Sequence, residues 1–228
     1  MQTEQEIQDA AKSIVSFTDS YVQNKQRKQK EQSESESTPS LAQVTSSLES
    51  LLRQIEMNNS SKQVIQIPKL LQSLITLSRY KVETHFSQVL DRQRLQVRHC
   101  SRDCLNQIQV FGDEQVQTDL VNNGYGRIMS ITFSTAGGVG EEQNQMIING
   151  LNLISWFLRV LYEGRNDQWY LSFQPLPLLA RRTEEQIEEE GANEEIDTQM
   201  KNIGLKDRIK MNANYAKAAM LNHFINKR

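Results

Sequence analysis

Residues 104–135 read CLNQIQVFGDEQVQTDLVNNGYGRIMSITFST. The first part completes a helical row in which Val97, Cys100, Cys104, Leu105 and Ile108 recur at steps of three and four. Gly112 and Asp113 stop that row. Glu114 to Val121 has the length and spacing of a short helix, and Asn122-Asn123-Gly124 closes it with residues suited to a left-handed cap. The next run, Tyr125 to Thr135, holds Ile128, Met129, Ile131, Thr132 and Phe133. Residue type makes it a strand and context makes it a buried helix; periodicity alone does not decide between them. Beyond the loop Ala136 to Gly140, Gln143 to Tyr162 places Ile147, Ile148, Leu151, Ile154, Phe157, Leu158 and Leu161 on a strongly apolar helix.

Helical spacing continues upstream. Leu41, Val44, Leu48, Leu51, Leu52 and Ile55 define one helix that breaks at Asn58 to Ser61, and Leu70, Leu71, Leu74, Ile75 and Leu77 define another with Pro68 in its first turn. A run from Thr84 to Leu95 precedes the one that starts at Val97. At the N-terminus, Ile7, Ala10, Ala11, Ile14, Val15, Thr18, Tyr21 and Val22 form an apolar stripe that needs a surface to cover it. Asn24 to Pro39, NKQRKQKEQSESESTP, has nothing apolar to bury and reads as a solvated linker.

Downstream of Glu163, Trp169, Tyr170, Leu171 and Phe173, followed by Pro175, Leu176, Pro177, Leu178 and Leu179, form a segment read as extended, because its prolines remove a donor, restrict the preceding residue and forbid a regular helix. Thr183 to Thr198 holds eight acidic residues and no basic one. It is expected to be a solvated linker, helical at most in part, with Ile187 and Ile196 as its only anchors. Leu205, Ile209, Ala213, Ala216, Met220 and Phe224 then restore a helical stripe on a basic segment.

The organisation expected is an amphipathic N-terminal helix over 1–22, a charged linker over 23–40, a helical core over 41–180, an acidic linker over 181–204 and a basic amphipathic helix over 205–228. The chain of 228 residues has 26 Lys and Arg against 28 Asp and Glu. Such a balance argues against a protein that binds nucleic acid through bulk charge. The longest apolar stretch, Leu151 to Tyr162, is far short of the roughly 20 residues that span a bilayer. The acidic start lacks the pattern of a secretory signal. The two cysteines, Cys100 and Cys104, stand one helical turn apart, where a disulfide is geometrically poor. The expectation is an intracellular, cytoplasmic protein, or part of a cytoskeletal, axonemal or organellar assembly.

Residues 104–135 resemble an armadillo repeat junction. In that family a long third helix is followed by a short first helix of the QxxLVxxG type and then by a second helix beneath it. Leu105 to Ile108 look like the end of a third helix, Gln117, Leu120, Val121 and Gly124 like the first helix and its glycine, and Arg127 to Thr135 like the second. Ile67 to Leu77 resembles another second helix, and Glu142 to Tyr162 another third. The resemblance implies two to three stacked repeats over about residues 45–162. Peptide-binding members carry Trp four residues before the third-helix Asn; here Arg102 occupies that place before Asn106. The fold class expected is therefore all-α, either a short armadillo-like solenoid or an irregular helical bundle, with an amphipathic helical arm at each terminus. A mixed α+β domain, pairing 125–133 with 169–173 as strands, is the alternative.

His99, Cys100 and Cys104, with His85 upstream, offer too few ligands for a structural zinc site. No GxSxG, HExxH or GxxxxGK[ST] pattern occurs, and Gly137, Gly138 and Gly140 lack the Lys-Ser/Thr that grips phosphate. The expectation is a non-enzymatic interaction module or scaffold subunit, without a cofactor, metal or small-molecule substrate. Its partners would be other protein subunits, with neither membrane nor nucleic acid expected. Candidate contact residues are Arg102, Asn106, Trp156, Trp169, Tyr170, Ile209, Met220 and Phe224. A small α+β enzyme and a nucleic-acid-associated adaptor using the basic segments are the alternatives.

Overall fold

The computed structural model describes residues 2–28, 38–58, 60–81, 87–133, 144–201 and 207–225. Among them there are eleven α-helices and no strand; the one extended pairing is an isolated antiparallel bridge between Arg165 and Phe173. The chain divides into two compact units, residues 1–119 and 120–228. The mixed α+β alternative fails on its central element, because Tyr125–Ile131 is a helix whose Tyr125, Ile128 and Met129 are buried. Of the β-branched residues that suggested a strand, Ile128 is buried on the inner face of this helix, while Ile131 and Thr132 are half-buried.

The first unit holds α1 (Gln2–Lys28), α2 (Thr38–Asn58), α3 (Ser61–Gln66), α4 (Leu70–Leu77) and α5 (Gln88–Phe111). The N-terminal stripe is covered inside the chain: Ile7, Ala10, Ala11, Ile14 and Thr18 are buried, and α1 packs on α2 and α4. Leu41, Val44, Leu48, Leu51 and Ile55 of α2 are fully buried, with α5 packed on the same helix. Burying each such side chain stabilises the unit by about 1.5–3 kcal/mol, so α1 is a docked element and not a free arm. It also extends through Lys28, beyond the expected start of the charged linker. Residues 29–37 of that linker lie outside the described residues.

Two sequence boundaries move. Ser61, expected as the last residue of a break, instead opens the short helix Ser61–Gln66, and Pro68 precedes α4 instead of occupying its first turn. The helices expected over 84–95 and 97–110 are one, α5, whose N-cap Ser87 accepts from the Leu90 amide at 3.3 Å. This cap supplies the start that apolar spacing missed. Arginines join α5 to the end of α4: Arg98 Nη1 donates to the Tyr80 carbonyl at 3.0 Å and Arg102 Nε to the Ser78 carbonyl at 3.2 Å. Cations at the carbonyl end of a helix complement its dipole.

The division between units falls inside α6 (Glu114–Asn122). The second unit continues with α7 (Tyr125–Ile131), α8 (Asn144–Glu163), α9 (Pro177–Glu189), α10 (Ala192–Gln199) and α11 (Arg208–Ile225). Its centre is α8, as its composition predicts, with Ile147, Ile148, Leu151, Ile154, Phe157, Leu158 and Leu161 buried. Tyr125 meets Phe157 edge-on with ring centroids 5.4 Å apart.

The acidic segment over 181–204, expected as a solvated and at most partly helical linker, is instead packed as helix across most of its described part. Thr183, Glu184, Gln186, Ile187, Ala192, Ile196 and Gln199 are buried, while most carboxylates face outward. Polar side chains hold α9 in place: Gln186 Nε2 donates to the Val121 carbonyl at 2.8 Å, and its Oε1 accepts from the Gly126 amide at 3.0 Å. Pro177, Leu178 and Leu179, expected to be extended, instead open α9, because Pro177 stands at the start of the helix, where its missing amide hydrogen costs nothing. The C-terminal helix also docks inside the chain, since α11 packs on α8 and α10 with Ile209, Ala213, Ala216 and Met220 buried.

Candidate interaction surface

Between α8 and α9 lies a loop whose form is fixed by one buried cation. Gly164, at φ +77°, turns the chain out of α8 in a conformation that suits glycine. Arg165 and Phe173 then exchange both backbone hydrogen bonds at 2.9 Å, and the Leu176 amide donates to the Leu161 carbonyl at 2.7 Å. Inside this closure Arg165 is 6% exposed. Its Nε donates to the Leu171 carbonyl at 2.7 Å, and its guanidinium lies 4.7 Å from the Phe173 ring centroid and 5.8 Å from that of Tyr170. At the tip, Asp167 Oδ1 accepts from the Trp169 amide at 2.7 Å, an Asx turn.

The consequence is an apolar group held out in water. Trp169 is 82% exposed, Leu171 52% and Tyr170 36%, and Leu178, in the first turn of α9, is 82% exposed. Burying tryptophan is worth more than burying almost any other side chain, and here the backbone around it is already ordered. Such a residue can occupy a partner's pocket with little further loss of loop entropy.

Of the candidate contact residues, Trp169 and Tyr170 stand together on this loop. Arg102 is buried and holds the end of α4; Asn106 on α5 and Trp156 on α8 are half-buried. Ile209 is fully buried and Met220 nearly so, both used by the second unit's own packing. The Phe224 side chain lies outside the described residues, as do His85, Leu205 and Gly137, Gly138 and Gly140. Sequence reasoning missed Arg165 as the buried support of this loop and the exposure of Leu171 on it and of Leu178 in the first turn of α9. The Gly164 turn and the Asp167-x-Trp169 spacing were available signals; the reach of Arg165 to Leu171 was not.

The cysteines are placed for packing. Both are free and buried on α5. Burial, with Glu49 and Asp103 adding to it, pushes the Cys100 thiol up to about 11, and burial raises Cys104 well above its ordinary value. Thiolate formation, which nucleophilic and metal-binding chemistry requires, is disfavoured at both. Among the described residues, His, Cys, Asp and Glu side chains nowhere form a group of three suited to a metal ion, and no helix is long and apolar enough to cross a membrane. No protein-family model matches the chain, and no curated protein matches its sequence.

Proposed function

We propose that this chain is a non-enzymatic interaction module, a short armadillo-like scaffold that serves as one subunit of a larger protein assembly and offers the Trp169 loop to a protein partner. The repeat character is supported by a recurrence of helix lengths. Long helices α2, α5, α8 and α11, of 21, 24, 20 and 18 residues, are each separated by two shorter ones. At the start of the second member of every short pair, at Lys69, Gly124 and Gly191, the backbone is left-handed, with φ of 64°, 86° and 70°. Within the first unit α5 packs on α2, and within the second α11 packs on α8. Long helix on long helix is the contact a stacked repeat uses to bury a face that it cannot cover alone.

The observation that carries the functional reading is Trp169, 82% exposed on a loop whose backbone is closed by paired hydrogen bonds and a buried arginine. Tryptophan and tyrosine dominate the few residues that supply most interface energy. Affinity capture of the tagged full chain from its native source, quantified by mass spectrometry, tests the proposal. The parent is compared with Trp169→Ala and with Trp169→Ala combined with Leu171→Ser. Proteins bound through this loop should be depleted about thirtyfold, the factor that matches a 2 kcal/mol hot spot. The reading is abandoned if both variants keep the parent's melting temperature and recover the same proteins in the same amounts.

A further inference from the structure

The C-terminal helix buries one face and leaves another open. Ile209, Ala213, Ala216 and Met220 are buried, whereas Met211 is 48% exposed, Tyr215 58% and Leu221 47%. At about 100° per residue, Met211, Tyr215 and Ala218 fall within roughly 60° of arc, with Leu221 about 60° beyond it. The row has the i, i+4, i+7, i+10 spacing by which one helix packs along another. Ala218, also exposed, leaves room in the middle of the row for a close approach.

Charge brackets this row. Arg208 flanks it on one side, and Lys210 and Lys217 on the other. Lys217 pairs with Asp197 of α10 at 3.0 Å, while Arg208 and Lys210 are exposed and make no ion pair among the described residues. From Arg208 to Ile225 the helix has no Asp or Glu at all. A second copy of α11 laid face to face would oppose cation to cation. The acidic helices of a second copy match in charge but not in apolar content, since Leu178 is the only large apolar side chain exposed on α9 or α10.

We infer that the outer face of α11 is a docking site for an amphipathic helix of a partner protein whose apolar row is flanked by carboxylates. The apolar row seats the partner and the cations set its register and orientation. This surface lies on a different element from the Trp169 loop and is independent of it.

The test uses the full-length chain and fluorescence anisotropy with three labelled peptides of 18 residues, close to the length of α11. One is an acidic amphipathic helix with a leucine row, the second has the same composition scrambled to destroy the row, and the third replaces its carboxylates by lysine. The first should bind, with at least tenfold advantage over the other two. Tyr215→Ser with Leu221→Ser should weaken it at least tenfold. Arg208→Glu with Lys210→Glu should weaken it and raise affinity for the lysine peptide. Trp169→Ala should leave it unchanged, so failure of the loop proposal and failure of this one remain distinct. Because the altered residues are exposed, unchanged melting temperatures are expected and establish that the variants fold. Equal binding of the scrambled peptide, absence of binding, or a dimer in sedimentation that the Tyr215 and Leu221 changes dissociate would each overturn the inference.

Discussion

Tyr162 Oη donates to Glu184 Oε1 across 2.7 Å, tying α8 to α9 through a carboxylate removed from most of its water. Burial raises the Glu184 pKa above the ordinary carboxylate value; Glu188 and Glu185 add to the rise, and the Tyr162 hydrogen bond and Arg181 oppose it. A pKa higher in the folded than in the unfolded state means that the folded chain binds the proton more tightly. The stabilisation linked to that proton is complete below the unfolded pKa and lost as pH rises through the folded one. At neutral pH the ionised Glu184 therefore weighs against the fold. Glu184→Gln, which keeps an acceptor for Tyr162, should be more stable than the parent in urea titrations at pH 7, with the gain shrinking toward pH 4. A difference independent of pH would show that burial of this charge is not the cause. Tyr162→Phe should act oppositely, lowering stability at pH 7 by about 1.5–3 kcal/mol because the charge loses a donor, and by less in acid.

At the scale of elements, α9 and α10 make the sharpest departure from the expected linker. Their exposed residues include Glu185, Glu188, Glu189, Glu194 and Asp197, with Arg181 and Arg182 near the start of α9, and their inner faces combine Ile187 and Ile196 with Thr183, Gln186 and Gln199. Gln186 Nε2 and Oε1 satisfy the Val121 carbonyl and the Gly126 amide. Gln186→Leu should destabilise the chain by about 1–3 kcal/mol for each buried backbone group left without a partner, read as a fall of several degrees in Tm. A glutamyl endoprotease provides a second measurement. A solvated linker would be cut early at Glu184, Glu185 and Glu188 to Glu190, whereas the packed helices should be cut there only when the unit opens. Early cleavage at those sites under native conditions would contradict the packing of α9.

For the whole molecule, far-ultraviolet circular dichroism should show a helical spectrum with minima near 208 and 222 nm and no dominant strand contribution, as eleven helices and a single isolated bridge among the described residues require. A strong strand signal would revive the mixed alternative. Thermal melts followed at 222 nm supply the reference for the single-residue changes. Those changes are expected to move the midpoint while leaving the native spectrum as it is.

Apolar periodicity was enough to locate α1, α2, α4, the body of α5, α8 and α11, because each presents a stripe of large side chains at helical spacing and such a stripe has to be buried. Composition also placed the left-handed turn at Gly124, where φ is +86° and a side chain would be strained. Sequence alone left open whether Tyr125 to Ile131 was strand or helix, since β-branched residues suit either once buried. It named Ile187 and Ile196 as anchors but missed how firmly α9 is held, because part of that hold is polar, made by Gln186 to residues some 60 positions away. It found Trp169 and Tyr170 but not the exposed use of Trp169, which depends on Arg165 reaching the Leu171 carbonyl. The C-terminal helix shows the division most clearly. Its spacing picked out the row from Ile209 to Met220 as the face to be buried, and that row is buried. Where it is buried was decided only by the tertiary structure: α8 and α10 cover it within the chain, because they present apolar surface that periodicity along one helix does not reveal.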